Sequence, residues 1–220
     1  RALLIGINYD TDFILEDDLR GCVNDMNNLK EFLTSQCHFK EDEIHVLCNS
    51  DATKFDIMNS IMDLVQYSKK HHHSEIWLSY SGHGTSVYSD KESDGRSEVI
   101  CPCDYMNHGI IKDSWLQQNF VMKLHPTTKV FVLMDCCNSG TNLNLPFVYK
   151  EDDVWRSDAI YETKKFYDLC TMVKISGCRD EQTSADYYEA TERQFQGALT
   201  NGFLYYARGY KHTESTQYME

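Results

Sequence analysis

Short apolar runs alternate along this chain with longer segments in which apolar residues recur every three or four positions. Ala2–Asn8, Glu43–Cys48, Ser74–Tyr80, Thr128–Met134 and Asp168–Ser176 are runs of the first kind and read as strands, the first of them as a buried parallel one. Gly21–Cys37 carries Val23, Met26, Leu29 and Leu33 at helical spacing. Phe55–Tyr67 does the same with Phe55, Met58, Ile61, Met62 and Val65, and Asp51 and Thr53 precede it as capping candidates. Asp113–Leu124 and Gln194–Tyr206 read as further helices, and Val87–Cys103, with its weak alternation, as a hairpin. Asp10–Asp18 and the acidic stretch Pro146–Lys165 read as irregular loops. Strands that alternate with helices predict an α/β fold, a mostly parallel sheet with helices on both faces.

The length of 220 residues allows one sizeable core. A net charge of −13, from 34 acids against 21 bases, argues against a nucleic-acid or anionic-membrane partner, either of which needs a basic face. The same charge suits basic substrates, though solubility alone also accounts for it. No apolar run approaches the ~20 residues that span a bilayer. The nine cysteines are odd in number, and Arg1–Gly6 runs into the first strand with no signal peptide, so reduced thiols and a cytoplasmic location are expected.

Two strand ends carry reactive side chains. Ser74–Tyr80 delivers His83 between Gly82 and Gly84, and Thr128–Met134 delivers Cys137, followed by Gly140. Sites in open α/β sheets form beyond the carboxyl ends of strands. A nucleophilic cysteine with its histidine about 50 residues upstream is the order used by caspase-type peptidases. A nearby imidazole is what a thiol of pKa about 8.5 needs to react at neutral pH. Alone, Cys137 reads as a small buried hydrophobe and His83 as a satisfied core histidine; the pair at matching strand ends reads as nucleophile and base. Cys101 and Cys103 form a Cys-X-Cys that would share one face of a strand, and with no further ligands at zinc spacing they read as core packing. His71-His72-His73 reads as a solvated linker rather than a metal site. No Gly-rich phosphate loop follows any strand, which excludes the common nucleotide-binding α/β proteins.

Tyr80-Ser81-Gly82-His83-Gly84 and Asp135-Cys136-Cys137-Asn138-Ser139-Gly140 resemble the histidine and cysteine motifs of metacaspases. Ala2–Tyr9, Leu19–Asp25, Asp94–Asp104, Leu143–Tyr149, Ile175–Asp186 and Gly197–Thr200 resemble the family's other segments in the same order, most like type I members. The caspase signature Gln-Ala-Cys is absent. The resemblance implies a caspase-like (caspase-hemoglobinase) three-layer fold, one peptidase domain over 1–220, with a large-subunit part at about 1–149, a linker at 150–167 and a small-subunit part at 168–220.

It also implies a cysteine endopeptidase, expected as a monomer, that cuts protein or peptide substrates after Arg or Lys. His83 and Cys137 would be its dyad, with Cys136 where serine is usual, and the N–H groups of Gly84 and Cys137 its oxyanion hole. Asp25 and Asp135, with Cys22 and Ser81 beside them, would hold the basic P1 side chain. Read without the resemblance, Asp25 is an acid favoured by a helix start and Asp135 a loop-capping carboxylate. Family calcium ligands map onto Ser97, Asp113, Ser114 and Asn144. Aspartates are usual at two of those positions, which here carry Ser97 and Asn144, so a weak or degraded Ca2+ site is expected, with Glu98 and Asp94 as neighbouring acids. Asn138 stands where histidine is common. Self-processing is expected after Lys150, Arg156, Lys164 or Lys165, in the exposed acidic stretch. The alternative reading is a non-catalytic binding module on the same scaffold.

Overall fold

A computed structural model describes residues 1–9, 19–90, 95–137, 143–145, 148–150, 154–156, 169–177, 186–189 and 194–209. The expected loop Asp10–Asp18, the motif end Asn138–Gly140, Asp94 and Lys164–Lys165 lie outside them.

Five strands form a parallel sheet: β1 (Ala2–Gly6), β2 (Ile44–Cys48), β3 (Glu75–Ser81), β7 (Lys129–Asp135) and β10 (Thr171–Ser176), in the order β10-β7-β3-β1-β2. These are the five strands expected. Side chains alternate strictly between two cores. Leu3, Ile5, Ile76, Leu78, Tyr80, Val130, Val132 and Met134 enter one, while Ala2, Leu4 and Leu133 enter the other. Both faces are therefore covered, and the strands read as continuously apolar rather than alternating.

Helix α1 (Cys22–Ser35) covers the Leu4 face with Met26, Leu29, Phe32 and Leu33. Helix α2 (Lys54–Lys70) covers the Leu3 face with Ile57, Ile61, Leu64 and Val65. Each fully buried side chain of this size contributes about 1.5–3 kcal/mol. Thr53 caps α2: its hydroxyl accepts the Asp56 N–H at 3.1 Å, while Asp51 belongs to the 3-10 turn before it. An antiparallel set of β4 (Gly84–Tyr88), β5 (Arg96–Ile100) and β6 (Ile111–Lys112) follows β3, and contains the expected hairpin. The short helices α3 (Tyr105–His108) and α4 (Asp113–Asn119) come next. Where one helix was expected to Leu124, α4 yields at Phe120 to a 3-10 turn, Val121–Lys123.

Three expectations are corrected. The acidic stretch is not irregular throughout: β8 (Val148–Lys150) pairs antiparallel with β9 (Val154–Arg156), because Val148, Tyr149, Val154 and Trp155 favour strand on either side of Glu151–Asp153. Gln194–Tyr206 is not all helix. Gln194–Gly197 forms β12, paired with β11 (Asp186–Glu189), and α5 runs Ala198–Gly209. The backbone N–H of Gly197 is held by Asp25, which fixes the point where strand turns into helix. Cys101 and Cys103 share no strand, since Pro102 brings no ladder N–H and β5 ends at Ile100. Cys101 is buried, as core packing requires, and burial pushes its thiol up to about 11. Cys103 turns its sulfur to the Ser50 carbonyl at 3.6 Å. On the Leu4 face, Phe203 of α5 meets Phe32 edge-on at 5.8 Å and packs beside the Trp77–Phe131 stack.

Candidate active site

The register across the sheet assembles the site. Gly6, Ser81 and Asp135 lie side by side in one row at the carboxyl ends of β1, β3 and β7. His83 and Cys137 each stand two residues beyond that row on adjacent strands. Only Gly82 and His83 separate β3 from β4, so the chain leaves the parallel sheet at the histidine. Gly82 N–H donates to the Asp135 carbonyl at 3.3 Å, tying the two loops together. A Cβ placed on Gly84 would stand 2.3 Å from the Cys137 carbonyl oxygen and 3.1 Å from Cys136 Sγ. Glycine is needed there because the two backbones touch.

The adjacent cysteines differ in setting. Cys136 is 1% exposed and packs in the core that holds Tyr80, Met134 and Leu143. Cys137 is partly exposed, as is His83. The histidine loop is held by two tyrosines that the sequence reading did not single out. Tyr9 Oη accepts the His83 backbone N–H at 2.9 Å and donates to the Cys101 carbonyl at 2.5 Å. Tyr80 Oη donates to the His83 carbonyl at 2.8 Å and stands 3.0 Å from Tyr9 Oη. Burial raises both phenols well above their ordinary range, so both remain protonated. The sequence signal for them was proximity alone, a tyrosine just after β1 and another inside the histidine motif.

A second group sits on the Leu4 face of the same row. Asp25 is in the first turn of α1 and Asp135 ends β7; they are 1% and 5% exposed. Ser81 Oγ donates to Asp25 Oδ2 at 2.8 Å, and Gly197 N–H donates to Asp25 Oδ1 at 2.9 Å and Oδ2 at 3.0 Å. Thr200 donates twice to Asp135 Oδ2, from its N–H at 2.8 Å and its hydroxyl at 2.9 Å. Both carboxylates therefore face the amino end of α5, where backbone N–H groups and the helix dipole stabilise negative charge. A Cβ on Gly197 would stand 2.3 Å from Asp135 Oδ2 and 2.6 Å from Asp25 Oδ2. The structure thus brings Cys22, Asp25, Ser81 and Asp135 to one end of the sheet, with Cys22 buried at the start of α1. It adds Gly197 and Thr200, which lie far along the chain and which no spacing rule connects to Asp25.

The residues mapped to a calcium site surround α4. Asp113, 1% exposed, accepts from Ser97 Oγ at 2.6 Å and from the Ser114 N–H at 2.5 Å, both at Oδ1. Among the described residues its Oδ2 is buried with no hydrogen-bond partner, and so is Asn144 Nδ2. Gln117, one helical turn beyond Asp113, donates to the Asn144 carbonyl at 3.1 Å. Glu98 is buried too, but strand alternation in β5 turns it away from Ser97. Among the described residues no group of three or more His, Cys, Asp or Glu is placed to hold a metal ion. One carboxylate with neutral oxygens falls short of the six to eight oxygen ligands and the charge that tight calcium binding uses, so this set does not fit a high-affinity site. Of the self-processing candidates, Lys150 ends β8 and Arg156 ends β9, both inside the paired hairpin. Among the described residues no helix is long and apolar enough to cross a membrane.

Comparison with known proteins bears on this arrangement. The model of the metacaspase, peptidase C14 domain matches residues 1–146. Metacaspase-1 of Meyerozyma guilliermondii is 32% identical, over 93% of this chain and 60% of its own length. Metacaspase-1 of Kluyveromyces lactis is 35% identical, over 93% of this chain and 58% of its own length. The chain thus spans about 60% of the length of these curated relatives. Among solved structures, protein GSU0716 from Geobacter sulfurreducens superimposes with a TM-score of 0.63 at 24% identity, over 96% of this chain and 83% of that one, which shows a shared fold. The matched residues 1–146 include the β3 and β7 ends with His83 and Cys137, and on that match the chain belongs to the metacaspase peptidase C14 family.

Proposed function

We propose that this chain is a cysteine endopeptidase that cleaves after Arg or Lys, with Cys137 as nucleophile and His83 as general base and acid. The observation that carries this reading is the contact of the two loops, Gly84 lying against the Cys137 carbonyl two residues beyond the Ser81–Asp135 row. In this reading His83 takes the Cys137 thiol proton, the sulfur adds to the scissile carbonyl carbon, and the π electron pair moves to oxygen. The N–H groups of Gly84 and Cys137 stabilise the oxyanion. Its collapse breaks the C–N bond, the leaving amine takes the proton from His83, and a thioester remains on Cys137. Water, giving a proton to His83, then attacks the thioester, releasing the new carboxyl end and restoring the thiol. Asp25 and Asp135 supply the negative charge a buried guanidinium or ammonium needs.

A panel of fluorogenic peptides with Arg, Lys or Asp at P1 tests this. Arg and Lys peptides should be cut and Asp peptides refused. A P1 Asp preference sinks the specificity. No hydrolysis of any peptide, with no labelling of Cys137 by a basic peptidyl electrophile, would instead favour a binding module.

Calcium has a small part in this proposal, because the Asp113 set carries one carboxylate. Activity is expected to survive chelation, or to need calcium at about 10⁻⁴–10⁻³ M, where weak sites fall. The check is an activity titration after chelation. Half-activation at low micromolar calcium, lost in Asp113→Ala, overturns it.

A further inference from the structure

We propose that Tyr9 is the positioning residue for His83, a role that rests on the dyad reading above. The two are joined at two points. The Tyr9 hydroxyl accepts the His83 backbone N–H at 2.9 Å, and the Tyr9 ring lies on the imidazole with centroids 4.4 Å apart and planes tilted by 33°. The hydroxyl fixes where the His83 backbone sits. The ring closes one face of the imidazole and so restricts its rotation about the side chain.

Tyr9 is itself held for this purpose. It follows β1 with φ of 60°, a left-handed conformation that L residues with a bulky side chain rarely adopt and that is strained for them. Its anchors offset that strain: the hydroxyl bonds the Cys101 carbonyl, contacts Tyr80 Oη, and the ring meets Tyr105 edge-on at 6.2 Å. Gly82 completes the fit, since a Cβ there would stand 2.8 Å from Tyr80 Oη and 3.0 Å from Tyr9 Oη. The strained residue thus reaches from the end of β1 across to the loop after β3 and ends against the one side chain of that loop that carries chemistry. Because its phenol stays protonated, Tyr9 acts through His83 and not as an acid or base of its own.

Orientation matters here because a misplacement of about 1 Å at a reacting group can cost 10²-fold. Removing the ring should therefore lower turnover while leaving substrate binding alone, since Tyr9 is no part of the acidic group around Asp25 and Asp135.

The test uses two variants and two readouts. With a P1 Arg peptide, Tyr9→Leu is expected to lower kcat about 10–100-fold with KM within about twofold, and Tyr9→Phe, which keeps the ring, to recover most of the loss. The second readout is the alkylation rate of Cys137 by iodoacetamide, followed by peptide mass spectrometry, which needs no peptide turnover. His83→Ala and Tyr9→Leu should both slow it, and Tyr9→Phe should lie nearer wild type. If His83→Ala leaves the alkylation rate unchanged, the dyad reading falls and this role with it. If His83→Ala slows alkylation and Tyr9→Leu does not, the role of Tyr9 alone is refuted. Should Tyr9→Leu fail to fold, Tyr9→Met, which keeps the bulk but removes ring and hydroxyl, decides in its place: a kcat loss of about 10-fold or more at constant KM with slower alkylation supports the role, and wild-type kcat and alkylation refute it.

Discussion

Cys137→Ala is expected to abolish peptide hydrolysis, whereas Cys136→Ala should keep most of it. The two thiols are neighbours in sequence and belong to different parts of the molecule. At the end of a strand successive side chains point to opposite sides. Cys136, 1% exposed, continues the Met134 core, where it behaves as a small hydrophobe; Cys137 emerges partly exposed beside the His83 loop. Deleting the Cys136 sulfur removes packing against Tyr80 and the Gly84 backbone, a loss on the order of 1 kcal/mol. That should lower the unfolding midpoint slightly and leave the proposed nucleophile in place. In the proposed mechanism, deleting the Cys137 sulfur removes the atom that would form the acyl-enzyme. His83→Ala should lie between them, costing about 10²–10⁴-fold as lost general-base help. Hydrolysis of a P1 Arg peptide by the three purified variants, with thermal midpoints measured alongside, decides the matter. An inactive but folded Cys136→Ala with an active Cys137→Ala would make Cys136 the nucleophile and overturn the assignment to Cys137.

The parts of this molecule that were legible in its sequence are those whose signal is local. The five sheet strands are apolar runs bounded by turns, and both core clusters follow from strict alternation along them. The His83 and Cys137 loops were legible because each follows a strand directly. What escaped was set by contacts distant in sequence. Pairing with β11 makes the beginning of an expected helix β12, and Gly197, at its end, bonds Asp25 across 172 residues. Tyr9 could be read only as a residue just past the first strand, since its reach to His83 depends on a positive φ and on the β1–β3 pairing. The Cys101–Cys103 expectation failed for a local reason, the proline between them, which the Cys-X-Cys pattern hides.

Asp135→Asn should cut kcat/KM for P1 Arg peptides by about 10–100-fold, the factor that corresponds to losing a charge-assisted hydrogen bond of about 1.5–3 kcal/mol, while KM rises. The two bonds that tie Asp135 to α5 should survive this change. Both bonds from Thr200 land on Asp135 Oδ2, so an amide with its oxygen in that place keeps them and the amino end of α5 stays docked. Asp25→Asn should do the same to P1 Arg turnover and also cost stability. Gly197 N–H approaches both oxygens of Asp25, at 2.9 and 3.0 Å, and Ser81 Oγ donates to one of them. An amide NH2 in either position then faces a donor in a buried site, a penalty of about 1–3 kcal/mol. Gly197→Ala separates space from charge. Its methyl would enter the gap between the two carboxylates, within 2.6 Å of an oxygen of each, so it should weaken binding of P1 Arg and Lys alike without removing either acid. Kinetics with P1 Arg and P1 Leu peptides, together with thermal midpoints, read all three variants. The acidic group is the P1 pocket if the asparagine variants narrow the gap between Arg and Leu substrates. If they lower both equally and in proportion to their lost stability, Asp25 and Asp135 serve only to dock α5, and the pocket for the basic side chain lies elsewhere.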